Sequence, residues 1–133
     1  MSQENVDVVR RAWRAFAEGG LEAELAFHAA DAVYEDLPEM VDRTAYHGRE
    51  GFVERSRHWR DTWEEVHARP LEFIDAGDGV VLVPVATTGI GKGSGVPIES
   101  RHVWLVEVRH GKIVRERAFR SKAEALEAAG PRE

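Results

Sequence analysis

Proton chemistry in this sequence points first to three residues: Asp36, His102 and Glu116. His102 and Glu116 lie in the stretch from Ser100 to Ala118, where two alternating runs flank Arg109-His110-Gly111 and read as a long β-hairpin. A three-residue loop with Gly111 in the left-handed position pairs Val108 with Lys112, Val106 with Val114, Trp104 with Glu116 and His102 with Ala118. Opposed residues share a face. One face therefore carries Ile98, Ser100, His102, Trp104, Val106, Val108, Val114, Glu116 and Ala118. A two-residue turn would flip the assignments along one strand. Burial raises the pKa of a carboxyl and lowers that of an imidazole unless the groups are paired, and groups poised in this way can move protons near neutral pH. A buried hydrogen-bonded pair is the structural alternative. Asp36 shares a side with Tyr34 on a short alternating strand that ends at Leu37-Pro38, where a carboxylate can also cap a turn.

The elements that must position these groups follow the hydrophobic pattern. Val6, Val9, Trp13 and Phe16 form one helical stripe over Ser2 to Glu18, and Gly19-Gly20 stops that helix. A shorter helix is expected from Leu21 to Ala29, with His28 as a satisfied, partly buried histidine at its end. Ala32 to Asp36 reads as a strand. Gly48 to Glu64 reads as a third helix with Phe52, Ser56, Trp59 and Trp63 on its apolar stripe. Arg55, Arg57 and Arg60 alternate with acids there and read as a solvated face. Val66 to Ile74 and Val80 to Ala86 are strands. The second is apolar throughout, so both its faces should be covered. Pro84 removes a ladder donor and implies a bulge or an edge. Ser121-Lys122-Ala123-Glu124 is a capping box that opens a last helix. The order gives an α+β fold in which three N-terminal helices cover a curved antiparallel sheet, a cone with an apolar pocket inside. Trp13, Phe16, Tyr34, Trp59 and Trp104 are the expected walls of that pocket.

Composition narrows the function classes. The chain has 133 residues, 43% hydrophobic and 32% charged, which fits one domain spanning 1–133. Its formal charge of -6 has no basic stripe, so a nucleic-acid partner is not expected. No apolar run approaches the roughly 18 residues of a membrane helix, and no signal peptide is visible at Met1 to Asn5. The chain has no cysteine, which excludes disulfides and thiolate metal sites and makes the cytoplasm the default setting. The six histidines show no metal-ligand spacing, so no metal is expected. The glycine-rich segment Gly89 to Gly95 fits neither a dinucleotide fingerprint nor a P-loop, and no serine sits in a nucleophile elbow.

Several motifs in order carry a resemblance: Val8-Val9-Arg10-Arg11-Ala12-Trp13-Arg14-Ala15-Phe16, Gly19-Gly20-Leu21, Asp31-Ala32-Val33-Tyr34-Glu35-Asp36, His47-Gly48-Arg49-Glu50-Gly51, His102-Val103-Trp104 and Gly111-Lys112-Ile113-Val114. Together they resemble the SnoaL-like family of the nuclear transport factor 2-like (NTF2-like) superfamily. The resemblance implies a cone-shaped α+β domain, a homodimer, and a deep pocket for a small apolar molecule. It leaves the reaction open, because this fold hosts catalysts and binders alike. In ketosteroid isomerase, a relative, the general base corresponds to Asp36. Its oxyanion donors fall near Ala12 and near Val103 or Trp104, which cannot serve. The epoxide hydrolase triad of limonene epoxide hydrolase is also missing, with Ala118 where its last aspartate would stand. The resemblance thus implies a small-molecule-binding protein. If catalytic, it would be a cofactor-free isomerase or cyclase with Asp36 as base and His102 or Glu116 as acid. The alternative is a non-catalytic ligand-binding or dimerisation module.

Overall fold

The computed structural model describes residues 2–35 and 45–130, except for the side chains of five of these residues, Trp59 among them. Asp36 and the Trp59 side chain therefore lie outside the described part. In chain order the elements are α1 (Ser2–Leu25), β1 (His28–Glu35), β2 (Ala45–His47), α2 (Gly48–Thr62), β3 (Trp63–Pro70), β4 (Ile74–Gly77), β5 (Val80–Gly91), β6 (Pro97–Arg109), β7 (Lys112–Phe119) and α3 (Lys122–Ala129). The strands form one curved, open sheet in the order β2-β1-β7-β6-β5-β3, with β4 also on β5. The architecture is the expected α+β cone, with differences of detail that have physical causes.

The first two expected helices are continuous in α1 and meet at a kink. Gly20 adopts φ 80° and ψ -164°, a conformation open to glycine, and the chain resumes its helix after it. The second helical segment ends at Leu25, so His28 opens β1 instead of closing a helix. The sheet is mixed, because β1 runs parallel to β7, with Tyr34 opposite Glu116. The single strand expected over Val66 to Ile74 is two strands, and β5 pairs with both. Pro84 sits inside the sheet, not at an edge. Its carbonyl accepts from Leu71 N at 2.8 Å, so its missing N–H points to the gap where β3 has ended and β4 has not begun.

The hairpin differs at its turn. Arg109 pairs with Lys112 across the two-residue turn His110-Gly111, whose φ values of 52° and 76° suit a type I′ turn. The register then steps from Val108↔Ile113 to Glu107↔Arg115, so β7 carries one extra residue, a β-bulge. Beyond the bulge Val106 pairs with Glu116 and Trp104 with Ala118. His102, Trp104, Val106, Glu116 and Ala118 still share a face, while near the turn Ile113 replaces Val114 on it.

Both faces of β5 are covered, as its unbroken apolar run requires. On the inner face Val81, Val83, Val85, Val106, Val108 and Ile113 pack against Val6, Val9 and Ala12 of α1. On the outer face Val80, Leu82, Val103 and Leu105 pack against Ala125 of α3. The Ser121 hydroxyl caps α3 by accepting from Glu124 N at 3.2 Å. A third cluster joins Leu25, Ala32, Tyr34 and Phe52 where α1, β1 and α2 meet. Among the described residues no helix is long and apolar enough to cross a membrane.

Candidate functional site

Between the inner face and the helices lies a cavity of about 450 Å³, within the usual range for small-molecule sites. Phe16, Leu21, Val66 and Trp104 supply apolar wall. The polar side chains turned to it include Arg55, Thr87 and His102. The kink at Gly20 forms part of the lining, so the break in α1 helps shape the space.

Arg55 is the main departure from the sequence expectation. It lies one helical turn after Phe52 on the inward side of α2 and is only 9% exposed. Its Nη2 donates to Glu116 Oε1 at 3.2 Å. The guanidinium carbon sits 4.8 Å from the Tyr34 ring centroid, 4.9 Å from that of Trp104 and 5.2 Å from that of Phe52. Such contacts favour a cation held away from water. Nη1 is buried and has no hydrogen-bond partner among the described residues.

His102 is buried on β6 and lines the cavity, with its ring edge-on to Trp104 at 5.5 Å. Loss of hydration, and then the nearby Arg55 cation, push its pKa down to about 4. The imidazole is therefore neutral near pH 7 and can both donate and accept. Glu116 is buried as expected, but it stands behind Arg55 and does not line the cavity.

A second polar layer backs that wall. Tyr34 is fully buried, and its hydroxyl is hydrogen-bonded to His28 Nδ1 at 2.8 Å. His28 Nε2 is bonded in turn to Glu24 Oε2 at 3.0 Å. Burial pushes the Glu24 carboxyl above its usual range, with the His28 hydrogen bond opposing and the charge of Glu116 assisting. Burial, followed by Glu116, pushes the Tyr34 hydroxyl up as well. Donor atoms of Glu24, His28 and Glu116 lie within 4.8 Å of one another, a set that could hold a metal ion. The two carboxylates are already engaged by His28 and Arg55. Sequence spacing hides this set, because Glu116 arrives from the far end of the chain.

The residues singled out from sequence therefore divide. His102, Trp104 and Phe16 line the cavity, and Phe16 is half exposed. Glu116 and Tyr34 stand in the layer behind it, and Trp13 packs against the inner core without lining the cavity. Asp36 and the Trp59 side chain lie outside the described residues. Sequence reasoning missed Arg55 and Glu24. The available signals were the three-residue spacing from Phe52 and the four-residue spacing from Glu24 to His28.

None of the curated proteins compared with the chain matches it. Solved structures do. An NTF2-like protein of unknown function from Burkholderia pseudomallei superposes with a TM-score of 0.78 at 21% identity, covering 96% of this chain and 98% of that one. An NTF2-like protein from Burkholderia thailandensis gives 0.80 at 20% identity, with the same coverage of 96% and 98%. A protein with a ketosteroid isomerase-like fold from Catenulispora acidiphila, solved in complex with trimethylamine, gives 0.70 at 22% identity over 94% of this chain and 93% of that one. At these identities the likeness is one of fold. The family model of the SnoaL-like domain matches residues 9–116. The chain belongs to the SnoaL-like family of the NTF2-like superfamily.

Proposed function

We propose that this chain binds a small, largely apolar carbonyl compound in the inner cavity and rearranges it by acid–base chemistry without a cofactor. The observation that carries the reading is the meeting of apolar walls with a fixed guanidinium, Arg55, and a neutral imidazole, His102. Donors held in place in this way stabilise charge that develops on a carbonyl oxygen. Asp36, which follows the last residue of β1, is the general base of this reading. It takes a proton from the carbon next to the carbonyl, the C–H electrons pass into the enolate, and the proton returns at another carbon. In this reading Glu116 serves Arg55 as its counter-ion and is not the acid.

A thermal-shift screen of small cyclic ketones and enols tests the binding step, since a ligand of the folded state raises the unfolding midpoint. Hits are then incubated with the protein and followed by NMR for an isomerised or cyclised product. Binding and turnover are expected, with turnover lost in Asp36→Asn. A cavity that takes none of the compounds removes the reading. A second reading, a binder without catalysis, is favoured by the low basicity of His102 and the engagement of Glu116. It predicts binding with no product. In both readings the chain acts as a homodimer, and a monomeric mass by light scattering would remove that part.

A further inference from the structure

We infer that the guest of this cavity carries an acidic oxygen (a carboxylate, or an ionised enol or phenol) on an otherwise apolar body, and that the guanidinium of Arg55, which lines the cavity, anchors it. The inference rests on the reading that the cavity takes a small molecule, and it adds the charge and the point of attachment. A guanidinium offers five N–H donors. In Arg55 one nitrogen, Nη2, meets one oxygen of Glu116 at 3.2 Å, while Nη1 is buried without a partner among the described residues. A buried charged donor left unmatched is costly, and because Nη1 has no surface open to the cavity, a guest meets it when the guanidinium turns toward the cavity.

The head group is held for that purpose. Tyr34, Phe52 and Trp104 present ring faces to it at 4.8 to 5.2 Å, and these attract the cation without supplying an in-plane acceptor. Glu116 contacts it at a single point and so leaves most of the fork unspent. Among the described residues lining the cavity there is a guanidinium and no carboxylate. The Arg55 end of the cavity therefore favours an anion over an amine. The remaining wall, including Phe16, Leu21 and Val66, suits a hydrocarbon body.

Matched pairs test this: 2-naphthoate with 2-naphthamide, and 4-biphenylcarboxylate with its amide, each titrated calorimetrically near neutral pH. The acid of each pair should bind at least about tenfold more tightly than its amide, the scale of one charge-assisted hydrogen bond. Glu116→Gln, which keeps Arg55 but removes its anion, should tighten the acid and leave the amide unchanged. Arg55→Met/Glu116→Leu removes both charges together, so no unpaired carboxylate is left to unfold the protein. It should bind acid and amide alike. Equal binding of acid and amide by the wild type overturns the inference and leaves the cavity reading standing. So does a preference for the acid that survives in the double variant. Binding of neither member of either pair overturns both.

Discussion

Arg55 Nη2 donates to Glu116 Oε1 at 3.2 Å, joining α2 to β7 across 61 positions of the chain. Each residue is only 9% exposed, so neither charge can be compensated by water if its partner is lost. Removing one partner of a buried pair costs about 3–5 kcal/mol, whereas replacing both with apolar groups is often neutral. Arg55→Ala and Glu116→Ala should each lower the unfolding free energy by about 3 kcal/mol, and Arg55→Met/Glu116→Leu should recover most of that loss. Urea unfolding of the singles and the double forms a mutant cycle. Additive losses would show that the two side chains are energetically independent.

The hydroxyl of Tyr34 is the buried partner of His28 Nδ1. Tyr34→Phe keeps the ring that packs 5.1 Å from Phe52 and faces Arg55, but leaves an imidazole nitrogen without its bond. The expected loss is about 1–3 kcal/mol, the cost of an unsatisfied buried polar atom. A loss below about 0.5 kcal/mol by chemical denaturation would mean that the bond adds little beyond its exchange with water.

The hairpin shows how far the sequence could be read. Its inner face was legible because the alternation of His102, Trp104 and Val106 survives any turn. The partner strand keeps the expected face for a different reason from the one inferred. The turn is two residues long, which alone would have flipped β7, and the extra residue in β7 flips it back. Bulges leave no reliable mark on local alternation. The parallel pairing of β1 with β7 was not legible either, because strand direction in a sheet is set by the path of the chain. Arg55 was misread for an energetic reason. The charges around it made a solvated face the reasonable expectation, and only the tertiary partners Glu116, Tyr34 and Trp104 offset the cost of burying it.

His102 gives the stability a pH dependence of definite sign. Its folded pKa is about 4 against an ordinary value of 6.5, so between those values the unfolded chain binds the proton and the folded chain does not. The contribution is complete above pH 6.5 and is lost as pH falls toward 4. The shift amounts to about 3 kcal/mol at the acid end. Glu24, with its raised carboxyl pKa, acts in the opposite sense, so the wild-type curve alone mixes both. The difference between wild type and His102→Gln isolates the histidine. Unfolding free energies measured across the window should fall more steeply for the wild type as pH falls. Parallel curves would mean that His102 takes up its proton equally well in both states.

Two glycines in type I′ turns separate backbone conformation from crowding. Gly111, at φ 76°, closes the β6–β7 hairpin, and a Cβ there would meet no atom within 4 Å. Gly79, at φ 78°, closes the β4–β5 hairpin, but a Cβ there would lie 2.7 Å from the carbonyl oxygen of Val108. The same spot is tied by the bond from Val108 N to Gly79 O at 2.8 Å, which fixes the end of β6 against the start of β5. Gly111→Ala should therefore cost only the left-handed penalty, about 1 kcal/mol. Gly79→Ala pays that penalty and must also displace backbone, so it should be worse by at least about 1 kcal/mol. Urea midpoints of the two variants decide the matter. Equal destabilisation would show that the β4–β5 turn can move away from β6 freely, and that the Gly79–Val108 contact does not hold the sheet together at that end.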